Sequence, residues 1–186
     1  MFQIRKPGFP VKATSKQKLK HIADLFRLRI RESFGDYGTF CPIADALEML
    51  GQKSFEQFSF AVVADNNPML VGKWACTNPS DKCIYISESV YRKACENNPQ
   101  ARFTVAHELG HLLLGHEYDA VFARANVNAA IPTYRDSEWQ ADTFAAYLLM
   151  PSEQARGKCA AEIETLFGVS ASAAVAREAR LMKHDL

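Results

Sequence analysis

The sequence has little of what would place a protein outside the cell or in a membrane. Its five cysteines, Cys41, Cys76, Cys83, Cys95 and Cys159, are odd in number, scattered and free of any Cys-x-x-Cys pair. That argues against a dense disulfide framework and against a cysteine zinc site. No apolar run approaches the length that spans a bilayer. Met1 to Lys16 carries two prolines and four Lys or Arg residues but no apolar signal-peptide core. An excess of one charge is also missing: 22 Lys and Arg stand against 21 Asp and Glu. Internal repeats and low-complexity linkers are absent. These absences predict a soluble protein of a reducing, cytoplasmic compartment, with no membrane partner.

What is present suits one domain. The 186 residues are 48% hydrophobic, enough for a single well-packed core over 1–186. Nine basic residues lie between Arg5 and Arg31, where Asp24 is the only acid. This cluster reads as the solvated face of a helix, and direct nucleic-acid binding is not expected. Leu19, Ile22, Ala23, Phe26 and Ile30 recur at helical spacing, which predicts an amphipathic helix from Ser15 to about Glu32. A second helix is expected from Pro42 to Leu50, stopping at Gly51.

The pattern then changes. Phe58, Phe60 and Val62 alternate with smaller residues, and Leu70 to Ala75 and Lys82 to Ser87 look like further strands. Turns are expected at 65–68 and 78–81. The expected parts are a helical 1–56, a small antiparallel sheet in 57–87, site helices in 98–151 and C-terminal helices in 152–186. In the third part, Asn98 and Pro99 open a helix that ends at Gly115. The stretch from Glu117 to Arg135 has no period and reads as a surface connection. Another helix is expected from Asp136-Ser137 to Pro151, with Ser137 and Gln140 spaced as a capping box.

The informative motif is His107-Glu108-Leu109-Gly110-His111. Residues four apart share one helix face, so both imidazoles can reach one ion. Glu108 flanks that face, where a carboxylate can act on a water as general base without being a ligand. Composition alone yields such a motif in about 0.8% of chains of this make-up. Gly110 removes bulk between the histidines, so another element can approach closely.

A catalytic zinc needs a third protein ligand and an open position. His116 is nearest, but five residues rotate it about 140° from His111. Glu138 is the better third ligand, in the first turn of the next predicted helix. Asp142 follows four positions on, where it can accept a hydrogen bond from a ligating imidazole. Ala141 and Ala145 keep the packing face small. For the donor that stabilises the oxyanion, Tyr134 and His116 are the candidates. Substrate is expected to lie along an exposed edge at Lys82 to Ser87.

The motif, preceded by Arg102-Phe103-Thr104-Val105-Ala106, resembles the active-site helix of ImmA/IrrE-type metallopeptidases. Glu138-Trp139-Gln140-Ala141-Asp142-Thr143-Phe144-Ala145, running on to Leu148-Leu149-Met150-Pro151, is similar to their second motif. Phe167-Gly168-Val169-Ser170 with Arg177 fits their tail; that turn also echoes a helix-turn-helix, but an ordinary packed helix pair is the better reading. The resemblance covers roughly residues 80–182. It implies Zn2+ held by His107, His111 and Glu138, with Glu108 as general base. It also implies a separate helix-turn-helix repressor as protein substrate, cut to relieve repression, in a prophage, mobile element or stress system.

The fold expected is α+β and zincin-like, with a sheet of about three strands packed on the active-site helix and the rest helical. The function expected is zinc-dependent endopeptidase. The alternative is a non-proteolytic, metal-containing binding protein that sequesters a repressor or toxin. The presence of Glu108 argues against that alternative, because retaining a metal needs no acid there.

Overall fold

The structure is a computed structural model that describes residues 8–50, 57–117, 120–127 and 129–183. Leu19, Ala23, Phe26 and Ile30 form the buried side of α1 (Lys16–Phe34), as the spacing of the apolar residues predicts. Ser15 caps this helix, its Oγ accepting from Lys18 N–H at 3.2 Å. The short α2 (Ile43–Glu48) follows Pro42. The stop expected at Gly51 lies outside the described residues.

Three strands follow: β1 (Ser59–Val63), β2 (Ala75–Asn78) and β3 (Cys83–Ser87). Two expectations fail here. The stretch from Leu70 to Ala75 is not a strand, because Asn67 Oδ1 accepts from Met69 N–H and opens a 3-10 turn over Pro68–Leu70. An Asn cap followed by Pro fixes such a turn locally, and the strand starts only at Ala75.

Nor is the sheet antiparallel throughout. Its order is β1-β3-β2, with β3 parallel to β1 and antiparallel to β2. The connection 64–74 is long enough to leave one strand's room, about 10 Å, between β1 and β2. The chain returns from β2 by a tight turn and fills that gap, which aligns β3 with β1.

The rest is helical: α3 (Glu88–Cys95), α4 (Pro99–Leu114), α5 (Ala120–Ala125), α6 (Ser137–Leu149), α7 (Ser152–Ala155), α8 (Ala160–Phe167) and α9 (Ala171–Met182). The connection 117–135 is less irregular than expected, since α5 and a 3-10 turn at Thr133–Arg135 occupy parts of it. An alanine-rich segment of six residues has the propensity for a helix but not the length to show a period. The fold is α+β and zincin-like. α4 packs between α6 and the sheet, and α1 covers the other side of α6. Among the described residues no helix is long and apolar enough to cross a membrane.

Three buried arginines join the layers by satisfying carbonyls at helix ends. Arg27 Nη1 donates to Leu148 O at 2.7 Å, and Arg177 Nε donates to Met150 O at 3.0 Å, both where α6 stops. Arg102 donates to Phe167 O and Gly168 O, each at 3.2 Å, at the end of α8. The last carbonyls of a helix lack internal partners and carry partial negative charge, so a guanidinium suits them. Arg27 therefore leaves the solvated face expected for the N-terminal basic cluster and points inward. The 167–170 turn joins two packed helices, α8 and α9, with Arg102 behind it.

Candidate metal centre

The register of α4 is set at both ends. Asn98 Oδ1 accepts from the N–H groups of Gln100 and Ala101, and Pro99 occupies the first turn. At the other end Gly115 takes the left-handed conformation (φ 59°), and its N–H returns to His111 O and Leu112 O. Between these stops His107 and His111 lie one turn apart, facing α6.

Asp136, not Ser137, caps α6: its Oδ1 accepts from Glu138 N–H at 2.9 Å and from Trp139 N–H at 3.4 Å. The capping box expected of Ser137 and Gln140 is absent. Ser137 Oγ is taken by Phe9 N–H at 3.1 Å, and the side chain of Gln140 points elsewhere. The competitor is a tertiary one. Residues 8–14 lie along the start of α6, with Val11 N–H on Arg135 O at 2.8 Å and Thr14 N–H on Tyr134 O at 3.0 Å. Gly8 is pressed so close that a Cβ there would run into Ser137 Oγ and Asp136 Oδ1.

The two helices bring three donors together. His107 Nε2 and His111 Nε2 are 3.0 Å apart, and the Glu138 carboxylate lies 3.3 Å from each. All three ligand atoms fall within 4.8 Å of one another, the one such His/Cys/Asp/Glu cluster among the described residues. Asp142 Oδ1 sits 2.8 Å from His107 Nδ1. A carboxylate only accepts, so Nδ1 carries a proton, and once the second ring proton is displaced the Nε2 lone pair faces Glu138. Lone pairs and a carboxylate aimed at one point repel each other unless a cation sits among them. The donor set of two imidazoles and one carboxylate therefore fits a metal ion.

Protons mark the same point. Burial alone would depress His107, but its hydrogen bonds to Asp142 and Glu138 outweigh that and raise it to about 10. Glu138 is held well below the usual carboxylate range, chiefly by its hydrogen bonds to His107 and His111.

Glu108 is buried and lines the same cleft, a cavity of ≈290 Å³, with His107, His111 and Glu138. Thr77 Oγ1, on β2, lies 2.7 Å from Glu108 Oε2 and 3.0 Å from Glu108 O. The other candidates sit less simply. Tyr134 is exposed and does not line this cleft. His116 is buried with both ring nitrogens engaged: Nδ1 is 2.9 Å from His111 Nδ1 and Nε2 is 3.0 Å from Gln140 Oε1. It has no free N–H to offer an oxyanion.

The expected substrate edge at Lys82 to Ser87 is also displaced. β3 is the central strand with both sides paired, so prolines there would break the sheet itself. It is β2, an edge strand, whose residues Ala75, Cys76 and Thr77 line the cleft. Thr77, Lys73, Phe9 and Gln140 escape a sequence reading because nothing in their spacing relates them to His107 or Glu138.

The model of a peptidase family described as the IrrE N-terminal-like domain matches residues 75–178, from β2 through most of α9. No curated protein matches the chain. Among solved structures, a Mycobacterium tuberculosis transcriptional regulator is similar at 16% identity and a TM-score of 0.49. The alignment covers 84% of this chain and 46% of the regulator, so the chain spans under half of that protein's length.

Proposed function

Because the chain belongs to the peptidase family of IrrE N-terminal-like domains, we propose that it is a zinc-dependent endopeptidase acting on a separate protein, a helix-turn-helix transcriptional repressor, to relieve repression. The observation that carries this reading is the meeting of His107, His111 and Glu138 within 4.8 Å beside the buried carboxylate of Glu108. Retention of a metal would not call for that fourth group. The repressor as substrate rests on the family resemblance of the two motifs.

In this reading His107, His111 and Glu138 hold the ion, and Asp142 fixes His107. A zinc ion held there supplies Lewis acidity towards a substrate carbonyl and a water in the cleft. Glu108 takes the proton of the attacking water and delivers it to the leaving amine. Thr77 holds one carboxylate oxygen of Glu108 and leaves the other for that transfer. Among the described residues Lys73 is the one lysine or arginine that lines the cleft, and it takes the oxyanion-stabilising role. The substrate adds as a strand to the open edge of β2. All five cysteines are free, which supports a reducing, cytoplasmic site of action.

The test is coexpression with neighbouring helix-turn-helix repressors, using the parent and Glu108→Gln, with fragments detected by mass spectrometry and zinc measured in both. Fragments with the parent, none with the variant and equal zinc support proteolysis. Derepression without fragments, equal in both proteins, would establish the alternative, a metal-containing protein that sequesters its partner.

A further inference from the structure

Asp142 orients one ligating imidazole, but no carboxylate does this for the other. His111 is oriented through neutral groups, and the orientation follows from hydrogen-bond accounting. The accounting starts at Gln140, which is buried in α6. Its Nε2 lies 2.9 Å from Lys12 O and 2.9 Å from Tyr134 O. Both partners are backbone carbonyls, which only accept, so the amide nitrogen must face them and spends both of its N–H groups there. Turning the amide over would set its oxygen against two carbonyl oxygens.

Gln140 Oε1 is thereby fixed 3.0 Å from His116 Nε2, and that nitrogen must carry a proton. His116 is buried against an amide and another imidazole, with no carboxylate among its hydrogen-bond partners. A charge is costly in such a place, so the ring is neutral and Nδ1 bears a lone pair. His116 Nδ1 stands 2.9 Å from His111 Nδ1. His111 must then donate from Nδ1, and its Nε2 lone pair turns towards His107 Nε2 and Glu138.

We infer that His116 and Gln140 are positioning residues for His111, forming a neutral relay that ends on the carbonyls of Lys12 and Tyr134. The far end lies in the 8–14 segment that docks along the start of α6 and lends Phe9 to the cleft wall. Docking of that segment and the tautomer of His111 are thus one linked arrangement. The inference rests on His107, His111 and Glu138 being metal ligands, the reading proposed above.

Zinc affinity, measured by competition with a chromophoric chelator, should fall about 10–100-fold in His116→Phe and in Gln140→Leu. The double variant should lose little more than either single one, because both break the same relay. In the zinc-loaded parent, imidazole-selective nitrogen–proton NMR should find His111 protonated on Nδ1 and His116 on Nε2. A nitrogen–nitrogen coupling should cross the His111–His116 bond. The inference is overturned if both folded variants bind zinc within about threefold of the parent, or if His111 carries its proton on Nε2. If the variants do not fold, the spectrum of the parent decides. If the parent binds no zinc, the peptidase reading fails, while the metal-free spectrum still tests the relay.

Discussion

Gly110 lies directly against Ala141: a Cβ on Gly110 would stand 3.1 Å from Ala141 Cα and 3.1 Å from Phe144 Cδ1. Here α4 and α6 are in tight contact, which limits how near the histidines of one helix come to Glu138 of the other. Glycine is otherwise a poor choice inside a helix, costing about 1 kcal/mol relative to alanine.

Gly110→Val should therefore separate the helices and weaken the site more than its effect on helix propensity would suggest. Overpacking of this kind costs about 1–3 kcal/mol. Urea unfolding of the metal-free protein should report that loss, and zinc titration should show a further fall in affinity. A variant that binds zinc as the parent does would show that close approach here is not what assembles the donors.

Glu138→Ala should remove most of the metal. Elemental mass spectrometry should find near-stoichiometric zinc in the parent and clear loss in the variant. Asp142→Ala, which deprives His107 Nδ1 of its acceptor, should keep the ligands yet weaken binding about 10–100-fold. Full zinc in Glu138→Ala would remove that residue from the ligand set.

Thr77→Val should leave zinc content unchanged and lower kcat, since it frees the Glu108 carboxylate without touching His107, His111 or Glu138. A fall of about tenfold is expected, the scale of misplacing a general base. An unchanged kcat would show that Glu108 does not depend on the β2 hydroxyl.

The metal-free protein should be most stable near neutral pH and should lose stability in both directions. Burial first, and then the nearby His111, depress His116 from 6.5 to about 4. The unfolded chain therefore takes that proton first, and this contribution is present above 6.5 and lost as pH falls through 4. Glu138, held low by His107 and His111, loses its contribution further into acid, below 4.5. His107 runs the other way. Raised from 6.5 to about 10, it contributes fully below 6.5 and loses that contribution as pH rises through 10. Because the ion must displace the His107 proton, zinc affinity should rise over the same alkaline interval. Unfolding of chelator-treated protein at about pH 4, 6.5 and 10, with zinc titration alongside, checks both signs. A flat alkaline limb would mean His107 is not proton-paired in the metal-free protein.

By itself the sequence determined the elements whose information is local. Helical spacing set the buried face of α1, Asn98-Pro99 and Gly115 bounded α4, and the four-residue interval put His107 and His111 on one face. Glu138 and Asp142 were legible for the same reason, being one turn apart on a single helix. The tertiary structure decided whatever depended on a partner distant in the chain. It made the sheet mixed, because the gap between β1 and β2 is a matter of loop length and space. It diverted Ser137 and Gln140 from capping α6, because residues 8–14 supply competing backbone groups 128 positions away. It buried His116 behind His111 and tied it to Gln140, and it placed Thr77 on Glu108. Periodicity records which face of an element is buried; it carries nothing about which polar groups will meet across that burial.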